Sequence, residues 1–273
     1  MPSYWCRFRG SFPHRVAMSA MIAVLIVAAS GPVAGQHQRT VVRIGTEGAY
    51  PPFTSVDINN RLSGFDIDLA KALCEEMAVS CEFVQEKFQN LIPALLANRF
   101  DAIMSAMAIT KERSQHVNFS IQYRRSSAAF AALTTSTIRD SSPAALRGKT
   151  LGAQIGTTHA RVLKKIYQPA GAIIQLYPTQ NEAILNLASG RVDAVLASKL
   201  ALLEWMSKTR EGACCSFVGG DASYPEILGE GTGVAVRKSD TELLARFNHA
   251  IEAIRANGTF RTINDRYFPF DTY

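Results

Sequence analysis

Two stretches of this chain share one pattern, and that repeat constrains the fold more than any other feature. Asn98-Arg99-Phe100-Asp101-Ala102-Ile103-Met104-Ser105 and Gly190-Arg191-Val192-Asp193-Ala194-Val195-Leu196-Ala197-Ser198 place their Arg-x-Asp-Ala groups 92 residues apart. Each follows an amphipathic helical pattern and opens a short apolar run, as strands buried on both faces of an α/β sheet do. A duplication would give two similar α/β lobes. Two βα turns of a common kind would give the same letters by coincidence, and the repeat is short enough for that. The duplication is carried forward as the expectation.

Between Asp101 and Arg113 the chain looks built to grip an anion. Ser105, Ala106 and Ala108 are small where the apolar run ends, Thr110 can cap a following helix, and Arg113 falls in that helix's first turn. Open α/β sheets bind ligands beyond the carboxyl ends of their strands, and a guanidinium there can hold both oxygens of a carboxylate. The same letters also fit a surface arginine after an ordinary turn. Thr150-Leu-Gly-Ala-Gln154-Ile-Gly156-Thr-Thr158-His159 runs likewise from a strand through glycine into a helix start.

The remaining elements alternate strand and helix. An apolar strand over 41–46 meets Pro51 and Pro52, which predict a loop over 47–53 and so a ligand wall. Ile67, Leu69, Ala70, Leu73, Cys74 and Met77 share one helical face, and a strand is expected over 82–86. Asn90 is expected to cap a helix with Pro93 in its first turn and Leu91, Ile92, Leu95 and Leu96 turned inward. Ser239 and Glu242 suggest a capping box for a helix with Leu243, Leu244, Phe247, Ile251 and Ile254 on one face, closed by Gly258. A last short helix carries Phe260, Ile263 and Tyr267.

Arg7, Arg9 and Arg15 precede an apolar run over 16–29 broken only by Ser19, and Val33-Ala34-Gly35 follows. Residues 1–35 therefore read as a cleaved secretory signal, too short in its apolar part to span a bilayer comfortably. The whole chain has 29 basic and 23 acidic residues. Removing the signal takes away three arginines and no acid, leaving 26 against 23, a net +3 that implies no nucleic-acid partner. The 238 residues left suffice for one large or two medium domains. In an exported protein Cys74 and Cys81 are expected to pair. The adjacent Cys214 and Cys215 fit free thiols, a vicinal bridge or an intermolecular bond equally.

His116, His159 and His249 lack metal spacing, and neither a nucleophile elbow nor a phosphate loop occurs. No catalytic residue, metal or cofactor is therefore expected.

Five motifs in order, Arg43-Ile-Gly-Thr-Glu-Gly-Ala-Tyr-Pro-Pro-Phe53, Gly64-Phe-Asp-Ile-Asp-Leu-Ala70, Asp101-Ala-Ile-Met-Ser-Ala-Met-Ala-Ile-Thr110, Gly231-Thr-Gly-Val234 and Asn257-Gly-Thr259, resemble the periplasmic solute-binding proteins of polar amino-acid ABC transporters. The likeness spans essentially all of the chain after residue 35, and the cysteine spacing matches the disulfide of the lysine/arginine/ornithine- and histidine-binding members. The octopine- and nopaline-binding members are closer still in their Thr-Glu-Gly, Ala-Ile-Met-x-Ala-Met and Leu-Ala-Ser or Leu-Ala-Asn stretches.

The resemblance implies an α/β, two-lobed type II periplasmic binding protein fold, each lobe a mixed sheet flanked by helices. Lobe 1 would comprise 37–124 with 225–273 and lobe 2 would comprise 129–220, with hinges near 124–128 and 220–224. It implies a monomer that takes up a small basic or polar amino acid, or an opine, and hands it to an inner-membrane ABC permease. By the same likeness Arg113 and Thr158 would hold the ligand carboxylate, with backbone groups of Ser105, Ala106 and Ala108. Tyr50 and Phe88 would flank the aliphatic stem, Glu47 would face a distal cation, and Gln154, His159 and Ser198 would complete the pocket. Ser198 stands where amino-acid members carry an aspartate for the α-ammonium, and Ala106 and Ala108 stand where they carry serines. These departures favour a substituted amine, as in an opine. The alternative is a cyclohexadienyl (prephenate/arogenate) dehydratase on the same fold, with Lys199 or Glu226 as acid.

Overall fold

The alternation of apolar runs and amphipathic helices builds two five-stranded sheets, seen in a computed structural model that describes residues 40–125 and 127–273. The expected signal over 1–35, and Ser126 in the first expected hinge, lie outside those residues. In chain order the strands are β1 (Val41–Thr46), β2 (Ala49–Tyr50), β3 (Thr54–Val56), β4 (Leu62–Ser63), β5 (Ser80–Gln85), β6 (Ala102–Ile103), β7 (Val117–Phe119), β8 (Ala128–Leu133), β9 (Thr150–Gln154), β10 (Ile173–Tyr177), β11 (Ala194–Ser198), β12 (Cys215–Ala222) and β13 (Ala235–Arg237). The helices are α1 (Phe65–Glu76), α2 (Leu91–Leu96), α3 (Thr158–Val162), α4 (Gln180–Ala188), α5 (Lys199–Lys208), α6 (Pro225–Leu228), α7 (Thr241–Ala256) and α8 (Thr259–Tyr267). Among the described residues no helix is long and apolar enough to cross a membrane.

The sheets have one topology. The first runs β5-β1-β6-β13-β7 and the second β10-β9-β11-β8-β12. In each, three parallel strands are followed by two that alternate in direction. The Arg-x-Asp-Ala repeat has a physical purpose here. The Arg43 N–H donates to the Asp101 carboxylate at 2.9 Å, and the Asp101 N–H returns a bond to the Arg43 carbonyl at 2.8 Å. In the second sheet the Thr150 N–H donates to Asp193 at 2.8 Å and the Asp193 N–H to the Thr150 carbonyl at 2.8 Å. The same carboxylate in each lobe thus fixes the register of the neighbouring parallel strand near its start.

The cores follow the expected stripes. Ile67, Leu69, Ala70, Leu73 and Cys74 of α1 are buried, with Phe247, Ile251 and Ile254 of α7 and Phe260 and Ile263 of α8. Gly258, at φ 84°, closes α7 as expected of a glycine that ends a helix. Five local expectations need correction. Leu96 is exposed, because it lies well round the helix from Leu91, Ala94 and Leu95, which form the buried face of α2. Asn90 makes no capping bond, its amide donating to Glu86 at 3.2 Å, and Ser239 turns its hydroxyl to Asp240 at 3.0 Å. The 47–53 loop contains β2, which pairs with β3 before the prolines end it. The helix expected after Thr110 is a single 3-10 turn, Arg113–Gln115, though Thr110 does accept the Arg113 N–H at 3.2 Å.

The chain passes twice between the sheets, from β7 to β8 and from β12 to β13. The two passages pair with each other: the Thr232 N–H donates to the Arg124 carbonyl at 2.8 Å and the Tyr123 N–H to the Thr232 carbonyl at 2.9 Å.

Cys74 and Cys81 are bonded, with Cα atoms 5.9 Å apart, joining the end of α1 to β5. Cys214 and Cys215, in a 3-10 turn and the first residue of β12, are free thiols with sulfurs 3.3 Å apart. Removing the disulfide by the double substitution Cys74→Ala, Cys81→Ala should lower the unfolding free energy by about 2–3 kcal/mol on the chain-entropy account of a short closed loop. Chemical denaturation of the oxidised parent and the variant measures it, and coincident curves would show that the loop is already ordered in the unfolded chain.

Candidate functional site

Four strand ends bring the predicted residues together. β1 delivers Glu47, β6 delivers the 105–108 loop, β9 delivers Gln154 and Thr158, and β11 ends on Ser198. Tyr50, Phe88, Ala106, Ala108 and Arg113 line one face of a cavity between the sheets, and Gln154, Thr158, His159 and Ser198 line the other. Glu47 and Ser105 stand one bond behind: Glu47 touches the cavity-lining Gln154, and Ser105 accepts the Glu47 N–H at 3.0 Å.

Arg113 is 6% exposed. Its guanidinium donates to the Ala108 carbonyl at 2.8 Å and, across the cavity, to the Gly156 carbonyl at 3.2 Å. It lies 5.5 Å from the centroid of the Phe88 ring. Among the described residues no carboxylate pairs with it. Burial, with Arg161 nearby, pushes its pKa down to about 10, so it stays charged at neutral pH. Burial, and Arg113 as a second cause, lower the His159 imidazole to about 4, leaving it neutral and adding no competing cation.

Glu47 is the opposite case. It is 4% exposed, Oε1 accepts from the Gln154 side chain, and Oε2 has no partner. Burial pushes its carboxyl up to about 7 despite the Gln154 bond. The Tyr50 hydroxyl accepts the Ser198 N–H at 3.2 Å, while the Ser198 hydroxyl is buried without a partner. Thr158 is buried in the first turn of α3, whose cap is Thr157, its hydroxyl accepting the Ala160 N–H at 3.1 Å.

The sequence reading missed Asp66 and the cavity face of Arg124. Asp66 accepts both the Ala106 N–H and, at 3.0 Å, the Tyr123 hydroxyl. Burial raises its carboxyl to about 6. The Ala106 N–H, expected to meet a ligand, is therefore engaged, and Ala106 sits at φ 49°, a left-handed conformation stabilised by that carboxylate. The Ala108 carbonyl is likewise committed to Arg113. What these two alanines show the cavity is small size. Arg124, 1% exposed, lies 4.1 Å over the Phe53 ring, donates to Thr232 at 3.1 Å, and leaves its Nε unpartnered. The Asp66 signal lay in the Gly64-Phe-Asp-Ile-Asp motif, but nothing local tells which aspartate turns inward.

The two faces touch at several points. Besides Arg113–Gly156, Glu47–Gln154 and Tyr50–Ser198, Arg161 pairs with Glu112 at 2.8 Å. Gly156 is at φ 78°, and a Cβ there would come within 2.9 Å of Gln89, so glycine permits the approach. The cavity is about 30 Å³, far below the volume of an amino acid, so a solute enters only if the faces part. No group of His, Cys, Asp and Glu among the described residues could hold a metal ion.

Two mixed α/β sheets whose strand ends close on one buried, charge-lined cleft define a two-lobed solute-binding protein of the type II periplasmic class. Residues 42–270 match the bacterial extracellular solute-binding proteins, family 3, and the chain belongs to that family. It is a solute-binding protein by family, and its curated relatives are named as binding proteins for transport rather than as enzymes. The chain is 44% identical over 232 residues to the L-arginine-binding protein of Pseudomonas aeruginosa, covering 85% of this chain and 89% of that one. It is 36% identical to ABC transporter arginine-binding protein 1 of Escherichia coli, over 84% of this chain and 90% of that one. A solved ancestral arginine-binding protein bound to arginine superposes with a TM-score of 0.78 at 36% identity, covering 85% of this chain and all of that one.

The raised carboxyl of Glu47 gives the stability a definite pH dependence. An acid whose folded pKa, about 7, lies above its ordinary value of 4.5 holds its proton longer in the folded state, so stability falls as pH rises through that window. Glu47→Gln keeps an acceptor for Gln154 and removes this loss. The variant should be more stable than the parent by on the order of 1–3 kcal/mol near pH 8, and nearly equal near pH 5. Denaturant unfolding at the two pH values reads it, and an unchanged difference would put the carboxyl in contact with water.

Proposed function

We propose that the chain captures an amino acid with a carboxylate at one end and a cation at the other, of the L-arginine class, by closure of two lobes. It acts in the periplasm after cleavage of a signal over 1–35, as a monomer, and delivers its ligand to an inner-membrane ABC permease. The observation that carries the reading is a pair of opposite charges, both buried and neither paired with a charge: Arg113 lines the cavity and Glu47 stands one bond behind its Gln154 wall. A carboxylate answers the first and a guanidinium or ammonium the second. Tyr50 and Phe88 supply apolar walls for the stem. The relatives named for arginine, and periplasmic relatives named for histidine and for lysine/arginine/ornithine, support the ligand class and the compartment.

The lobes in this reading are 37–124 with 225–273 and 129–220, turning about hinges near 124–128 and 220–224. Support for the first hinge comes from Arg124, where the first passage pairs with the second at Thr232; that second pairing point lies beyond 220–224, whose first three residues are the end of β12. The dehydratase reading finds none. Lys199 is tied to Asp221 at 2.6 Å and Glu226 to Lys111 at 3.2 Å, and neither lines the cavity.

Arg113→Ala should weaken L-arginine binding by about 2–5 kcal/mol, because it strands an enclosed carboxylate. Calorimetric titration measures the change, and an unaltered dissociation constant would remove Arg113 from the site.

A second ligand class, the opines, has a specific observation in its favour. The Ser198 hydroxyl is buried and unpartnered, and Arg124 adds a second guanidinium to the same cavity, so an α-ammonium finds no carboxylate there while a second carboxylate would find a cation. Ser198→Asp should strengthen L-arginine relative to octopine by roughly 1.5–3 kcal/mol, through a charge-assisted bond to a primary ammonium and repulsion of the extra carboxylate. Competition titrations give the ratio of affinities, and an unchanged ratio would end the opine reading.

A further inference from the structure

A second cavity, about 280 Å³, lies beside the cleft and shares only Tyr50 with it. One wall is Tyr50 and Pro51 from the β2 loop. The other comes from α4 and α5, with Ile184, Leu202 and Trp205 giving an apolar lining. Gln180, the first residue of α4, also lines it. This side chain is 4% exposed and its amide nitrogen, wholly buried, has no hydrogen-bond partner. Buried amide donors are nearly always satisfied, so an unpartnered one on the wall of an apolar cavity marks a place for an acceptor. At the rim Glu204 and Lys208 stand 4.0 Å apart and largely cancel, leaving the selection to Gln180.

We propose that this cavity is a second small-molecule site, taking a compact aromatic or branched aliphatic molecule that carries a carboxylate or amide oxygen. Gln180 donates to that oxygen, and Trp205, Ile184 and Leu202 enclose the apolar body. Because its walls come from two sequence-distant parts of the chain, the site is complete only when the faces are together. An occupant therefore favours the closed arrangement and raises affinity in the main cleft, and by reciprocity the cleft ligand tightens binding here. That coupling rests on the closure proposed above; the cavity itself is present in this structure.

The probes are phenylacetamide and phenylacetate, titrated into the whole protein with and without saturating L-arginine and followed by calorimetry and ligand-observed NMR. Both should bind, at least about threefold more tightly with arginine present, since closure then no longer opposes them. Gln180→Leu should weaken both about tenfold by removing the donor. Ile184→Phe, which fills the cavity, should abolish binding while leaving arginine affinity within about twofold of the parent. Thermal melts confirm that each variant is folded, and two independent positions keep the test decisive if one is not. Absence of probe binding to the parent overturns the proposal, as does displacement of the probes by arginine or undiminished binding to Ile184→Phe. Should arginine itself not bind, the arginine-free titrations of parent and variants still decide the matter.

Discussion

A guanidinium enclosed with only carbonyls for partners and a carboxylate enclosed with one oxygen unanswered are each unfavourable in a folded chain, since removing an ion from water costs several kcal/mol even after relaxation. Arg113 and Glu47 are such a pair, and most of the architecture can be read as the means of keeping them buried without letting them meet. Each sits just beyond the end of a parallel strand of the same sheet, held by backbone and amide groups that satisfy part of its hydrogen bonding and none of its charge. The loop between β6 and Arg113 has small residues at Ser105, Ala106 and Ala108, and Asp66 holds its one left-handed residue in place. The second sheet covers both charges and contributes Gln154 and Gly156 as neutral partners.

Much of this was legible in the letters because it rests on short-range rules. The apolar stripes of α1, α7 and α8 have a period set by the helix, and Gly258 ends α7 for a reason local to its own backbone. Arg113 could be singled out by its place after a strand of small residues. What escaped was set by tertiary contact. Two aspartates share the Gly64-Phe-Asp-Ile-Asp motif; Asp66 is buried against Ala106 and Tyr123, while Asp68 accepts from Tyr267 at 2.8 Å. Spacing cannot rank them. Arg124 looked like a passage residue and nothing more, because its approach to the cavity depends on Phe53 and Thr232, distant in sequence on opposite sides. Leu96 was misjudged by giving the stripe of α2 a residue that lies round the helix from its buried side, and Ser239 by a capping pattern that Asp240 disrupts.

The internal repeat shows how an economical rule can generate a cleft. In each lobe an aspartate ties the strand it opens to the neighbouring parallel strand, so both sheets present their strand ends in the same sense. Two such sheets, with their strand ends opposed, place two sets of loops against one another. The first lobe carries Arg113 and Glu47; the second carries mostly neutral hydrogen-bonding groups, with Ser198 at its β11 strand end.

The bond between Arg161 and Glu112 joins the two faces without lining the cavity wall that Arg113 and Gln154 form. Its strength therefore enters neither the choice of ligand nor the fit around it, but the time the cleft spends shut. A protein that must open before it can be filled collects solute no faster than it opens, and releases it no faster either. The exposed side of Glu112, 56% accessible, leaves this bond subject to the salt of its surroundings, so ionic strength bears on how readily the two faces part without touching the buried charges.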